Sequence, residues 1–150
     1  MHTTTEERIV SAHCDGPCGI YDPASARVAA EAVASMTHKL EELHPPKGDD
    51  PAAHAAYLNT FSRYVSIKES QAELAKHELL ILWTDYFKPP HVEQYPQLHD
   101  LFWNAAKLCS ACKQEINMDK AKALLDKIEE IHGIFWKSKG REVPWIKAGG

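Results

Sequence analysis

Four stretches of the sequence place apolar residues at alternating steps of three and four, and proline-marked breaks separate them. A strand would need alternation at every second residue, and no stretch shows it convincingly. The simplest solution is a bundle of amphipathic helices. The first helix is expected to open at Asp22-Pro23, with aspartate as N-cap and proline at the first helical position. It carries Ala29, Val33, Met36, Leu40 and Leu43 on one face. HPPKGDD at 44–50 breaks it, and Asp50-Pro51 repeats the start signal. The second helix is expected to be long, reaching about Phe87, with Ala72, Ala75, Leu79, Leu82 and Tyr86 on one stripe before KPPH at 88–91 ends it. The third begins near Pro96 and aligns Leu98, Leu101, Phe102, Ala105, Leu108, Cys109 and Cys112. After a loop near Asn117, the fourth aligns Ala121, Leu124, Leu125, Ile128, Ile131 and Phe135 and closes at Gly140. The expected fold is all-α: an antiparallel four-helix bundle over about 22–139, with REVPWIKAGG as a tail over about 140–150.

Composition narrows the function. A chain of 150 residues, 44% of them hydrophobic, makes one domain with a real core. The net charge of −4 and the absence of a basic patch argue against nucleic acid. No apolar run approaches the roughly 18 residues of a membrane span. The opening MHTTTEERIVSA lacks the apolar core of a secretory signal. Four cysteines are too few for a disulfide scaffold, so a reducing cytoplasm is expected and the thiols need another explanation.

The cysteines fall into two kinds. Cys109 and Cys112 lie on the apolar stripe of the third helix and read as small buried side chains; a redox CxxC pair would need a strand–helix context that is missing. Cys14 and Cys18 lie on no periodic face. They sit in HCDGPCGIYDP, beginning at His13, where Gly16, Pro17 and Gly19 forbid a helix. That hook, residues 13–21, suits a metal or a reactive dithiol.

Coordination geometry sharpens the first reading. If the bond between Ala12 and His13 is cut, residues 1–12 are a removable leader and His13 gains a free α-amine. That amine, the backbone nitrogen of Cys14 and the Cys14 thiolate then close two fused five-membered rings around one metal. Cys18 folds back through the Gly16-Pro17 turn to add a second thiolate, and the imidazole of His13 stands above the plane as a fifth ligand. A planar N2S2 set with anionic donors points to Ni(II) or Cu(II) rather than tetrahedral zinc. Amidate and thiolate donors also favour a higher oxidation state, which suits one-electron chemistry.

At this level of detail the hook resembles that of the nickel-containing superoxide dismutases: His13, Cys14, Asp15, Pro17, Cys18, Gly19, Tyr21, Asp22 and Pro23 follow the family's order and spacing. LWTDYFKPPH at 82–91, preceded by AELAKH at 72–77, is similar to the family's interior signature. The resemblance implies a superoxide dismutase, converting superoxide to dioxygen and hydrogen peroxide by Ni(II)/Ni(III) cycling, with one nickel ion per subunit of a homohexamer. It implies His13, Cys14 and Cys18 as ligands, Asp15 and Tyr21 lining the hook, and Tyr86 with Asp85 near the metal entrance. Tyr21 and Tyr86 are thus the catalytic candidates, and Lys88 offers positive charge or anchors the hook. A processing protease acting between Ala12 and His13 is a further implied partner. One departure stands out. Where some members brace the axial histidine with a glutamate–arginine pair, this chain has Ala29 and Gln71. Two rival readings accompany this one: a zinc- or copper-binding helical module, and a metal-free thiol oxidoreductase using Cys14 and Cys18. His77, His91 and His99 have no ligand spacing and read as polar or capping residues.

Overall fold

A computed structural model describes residues 18–149; the leader, His13, Cys14 and Asp15 lie outside the described residues. Five helices follow: α1 (Ala24–Glu42), α2 (Pro51–Ile81), α3 (Pro89–Gln94), α4 (Leu98–Gln114) and α5 (Met118–Ser138). The expected bundle is present. Among the four long helices, α1 packs on α2 and α5, and α4 packs on α2 and α5, which closes a ring of four antiparallel neighbours. The short α3 was not foreseen. Pro89 and Pro90 need no N–H at its first positions, and His91 Nδ1 accepts a 3.0 Å bond from the backbone N–H of Lys88. His91 is thus a capping residue, as its spacing suggested.

The helix starts follow the side-chain chemistry read from the sequence. Asp50 Oδ1 accepts the Ala52 N–H at 3.0 Å, with Pro51 directly behind it. At α1 the same bond runs from Ala24 N–H to Asp22 Oδ1 at 2.9 Å, so the helix begins one residue later than expected, Pro23 taking the flanking position. Asn117 caps α5 through Lys120 N–H at 3.2 Å. Beyond its other end, Gly140 turns the chain with φ +67°, a conformation that favours glycine.

The core comes from the predicted stripes. Val33, Leu79, Leu98, Leu124, Ile128, Ile131 and Phe135 are fully buried, interleaved with Ala29, Ala72, Ala75, Ala105 and Ala121, whose small side chains let the helices approach. Met36, Leu43, Leu108 and Leu125 lie at the margin of the stripes and are half-buried. The first half of α2 adds no buried residue; its burial begins at Lys68.

Lys68 is the buried charge that periodicity could not reveal. It is 2% exposed, and its ammonium donates to the carbonyls of Cys112, Lys113 (3.0 Å) and Glu115 (3.1 Å). Three N–H donors meet three carbonyls left open by the C-terminal end of α4. Desolvation draws the Lys68 ammonium below the usual lysine range, while Glu69 and the Cys112 thiolate form oppose the fall.

The tail docks rather than hanging free. His132 Nε2–H donates to Val143 O at 2.8 Å, and the Trp145 ring packs 5.4 Å from the His132 ring. The Arg27 guanidinium lies 5.8 Å from the Trp145 ring, and Ala148 N–H reaches both carboxylate oxygens of Glu31 at 2.9 and 3.0 Å. Replacing Lys68 with methionine keeps the volume but strands three carbonyls. We expect a loss of about 1–3 kcal/mol in urea unfolding, with helix content unchanged before the transition; an unchanged midpoint would show that solvent satisfies those carbonyls.

Candidate metal centre

The candidate site begins where the chain enters the bundle. Cys18 is the first described residue and its thiol is exposed. Gly19 follows with φ +67°, a left-handed turn that lets the chain leave the hook and descend toward α1. Tyr21 then packs against the bundle, its ring 5.7 Å from that of Tyr86. Ile20, Tyr21 and Asp22 face Glu78, Ile81 and Leu82 across a small cavity of about 70 Å³. The two tyrosines proposed from the sequence are therefore brought together although 65 positions separate them (86 − 21).

Tyr86 is aimed there by an irregular turn. After Ile81 the α2 helix widens into a π-helical segment, Leu82–Tyr86, which closes with Phe87 N–H donating to Leu82 O at 3.1 Å. Such one-turn widenings re-aim side chains without ending the helix. Tyr86 then sits among aromatic rings: Phe135 at 4.5 Å, Phe87 at 5.0 Å and His91 stacked at 5.6 Å. Its hydroxyl meets Ser138 Oγ at 2.6 Å, and the Lys139 ammonium lies 5.3 Å from the ring centre. Phe135, Ser138 and Lys139 arrive from the far end of α5. No local pattern announced them as part of this neighbourhood. Asp85 accepts a 3.0 Å bond from Thr84 Oγ1, and Lys88 is exposed at the head of α3.

Among the described residues, no three His, Cys, Asp or Glu side chains gather as a metal would require. Cys18 is exposed and without a disulfide, and the remaining donors of the proposed set, His13 and Cys14, precede it. One exposed thiol ahead of a glycine turn fits a hook that completes its own donor set. The other thiols are removed from chemistry. Cys109 and Cys112 are 0% and 1% exposed. Burial pushes Cys109 up to about 12 and raises Cys112 as well, Lys68 pulling the latter back. At neutral pH both are protonated, the opposite of what a redox dithiol requires. The positions matching the absent glutamate–arginine brace hold a buried Ala29 and a half-buried Gln71.

The described residues define an all-helical bundle that carries an exposed thiol just ahead of α1 and two packed tyrosines beneath it. The pattern of the nickel-containing superoxide dismutases matches residues 8–139. The superoxide dismutase (Ni) of Streptomyces seoulensis is 47% identical over 130 residues, covering 87% of this chain and 90% of that protein. The enzyme of the same name from Streptomyces coelicolor is 46% identical over the same length. A native nickel superoxide dismutase structure superposes with a TM-score of 0.71 at 43% identity, over 86% of this chain and all of that one, 100%. One with nickel ligation corresponding to the oxidised state reaches 0.73 at 45% identity. The chain belongs to the nickel-containing superoxide dismutase family, and it is an oxidoreductase with nickel as its metal. The match ends at residue 139, so the docked tail lies beyond it.

Alkylation of the folded, reduced protein checks the division of the thiols. Cys18 is expected to react at neutral pH, and Cys109 and Cys112 only after unfolding. The pH sign is also fixed. A buried thiol raised from 9.0 to about 12 lends stability that is complete below pH 9 and is lost as pH climbs toward 12. Cys109→Ala should flatten that alkaline fall in urea titrations.

Proposed function

We propose that the chain dismutes superoxide to dioxygen and hydrogen peroxide once the bond between Ala12 and His13 is cut, with His13, Cys14 and Cys18 holding one nickel ion per subunit. Family membership carries the reaction. The assignment of residues is supported by one juxtaposition: Cys18 is exposed just ahead of Tyr21, and Tyr21 is packed on Tyr86. Nickel, when bound, supplies the one-electron couple between its II and III states.

The chain's own residues do the rest. The α-amine and amide nitrogen of the His13-Cys14 pair, the Cys14 and Cys18 thiolates and the His13 imidazole would hold the nickel ion. With Ala29 and Gln71 in place of a charged brace, that imidazole is oriented by a neutral or backbone partner. Asp15 lines the hook. Tyr21 and Tyr86 narrow the approach so that a small anion enters and bulkier reductants do not. Asp85 flanks Tyr86 on the approach. The chain's net charge of −4 repels superoxide, so attraction is local, from Lys88 and from Lys139 above the Tyr86 ring. A homohexamer in the cytoplasm and a dedicated processing protease complete the proposal. Among the described residues no helix is long and apolar enough to cross a membrane.

The experiment combines metal analysis, mass spectrometry of the N-terminus and a superoxide-consumption assay on one preparation. Active protein should begin at His13 and hold nickel. An active preparation retaining Met1 would sink the amine-ligand mechanism, and stoichiometric zinc without nickel would favour a structural hook. Cys18→Ser or Cys14→Ser should abolish nickel binding and activity while circular dichroism stays that of the parent. Loss of helix in those variants would instead assign the hook a structural role.

A further inference from the structure

We propose that Ser138 is a positioning residue for the dismutase site, holding Tyr86 by accepting its phenolic proton. This rests on the reading of Tyr86 as part of that site.

The direction of the hydrogen bond follows from the end of α5. In a regular helix the Phe135 carbonyl would accept from Lys139 N–H. Here Lys139 N–H turns back to Trp136 O at 3.1 Å, as the helix tightens before Gly140. The Phe135 carbonyl is left for another donor, and the Ser138 hydroxyl supplies it, with Oγ at 2.7 Å from Phe135 O. A serine hydroxyl has a single proton. Once that proton is given to Phe135 O, Ser138 Oγ is an acceptor toward Tyr86, and the 2.6 Å contact is a phenol donating to serine.

Two consequences follow for the site. Phe135, Phe87, His91 and the Lys139 ammonium fix the plane of the Tyr86 ring, but stacking does not fix the rotation of its hydroxyl. Ser138 does. The phenolic proton is committed to the helix end, so what the oxygen still offers is acceptor capacity. Tyr86 therefore serves the site as a fixed wall and hydrogen-bond acceptor, and the proton that peroxide needs comes from elsewhere. Ser138 also ties the C-terminal end of α5 to the root of the hook, because the same Tyr86 ring supports Tyr21.

The test is a double-mutant cycle on processed, nickel-loaded enzyme, with rates expressed per bound nickel. Ser138→Ala should lower kcat/KM about three- to tenfold, the worth of one hydrogen bond. Ser138→Thr should restore it. In the Tyr86→Phe background Ser138→Ala should add nothing, since the hydroxyl it acts through is gone. Ser138→Val, which matches threonine in shape without the hydroxyl, takes the place of the alanine variant if that one loses helix or nickel. A second readout needs no turnover: ultraviolet resonance Raman spectra of metal-free protein. The difference between parent and Tyr86→Phe should show a hydrogen-bond-donating phenol, and Ser138→Ala should erase that signature. Additive losses in the cycle, or a donor signature that survives Ser138→Ala, would overturn the role of Ser138 alone. An unchanged rate in Tyr86→Phe would remove Tyr86 from the site and the Ser138 inference with it.

Discussion

The placement of one phenol ring organises the functional end of this molecule. Tyr86 lies at the close of the π-helical turn, and its ring touches three separate parts of the chain: Tyr21 below the hook, His91 of α3 and Phe135 of α5. The widened turn costs helical regularity, and contacts on several sides of the ring stabilise it. Pro89 and Pro90 bar continuation of α2, so the chain must turn away just after Tyr86 has been aimed. The irregularity is therefore the device that carries a core helix to the segment on which Tyr21 enters the bundle.

A ring of four helices still has to satisfy its open ends. Asp22, Asp50 and Asn117 do so locally at the N-termini. At the end of α4 the solution is long-range, because a lysine on α2 reaches three carbonyls 44 to 47 residues away. At the end of α5 the Ser138 hydroxyl takes the stranded carbonyl and in turn receives the phenol. The same physical need, a carbonyl without an amide, is met once by a buried charge that holds the bundle and once by a hydroxyl that reaches the site.

Much of this was legible from spacing. The apolar stripes, the aspartate–proline starts and the proline breaks each report a local requirement, and local requirements are written in neighbouring residues. The burial of Cys109 and Cys112 followed from their place on a stripe. The exposure of Cys18 followed from its place in a glycine- and proline-rich stretch that lies on no apolar face. What escaped depended on contacts between distant segments. Lys68 reads as an ordinary polar residue of a helix until the end of α4 is brought beside it. Ser138 and Lys139 read as a helix end until Tyr86 is set on them. The helix α3 escaped for a different reason: its two prolines signal a break, yet proline is also compatible with a first helical turn.

The chain shows how little the type of a side chain decides. Its cysteines are chemically identical, and their surroundings assign opposite behaviour. Between α2 and α5, desolvation holds Cys109 up to about 12 and keeps it a packing residue. Cys18 lies on no buried helix face: it is exposed, just ahead of the left-handed turn at Gly19. An exposed thiol can be reached from solvent, and one sealed among helices cannot. The cost of that exposure is weak support from packing. The segment that Cys18 opens is instead steadied through Tyr21 on Tyr86, and the Ser138 hydroxyl links that contact to the far end of α5.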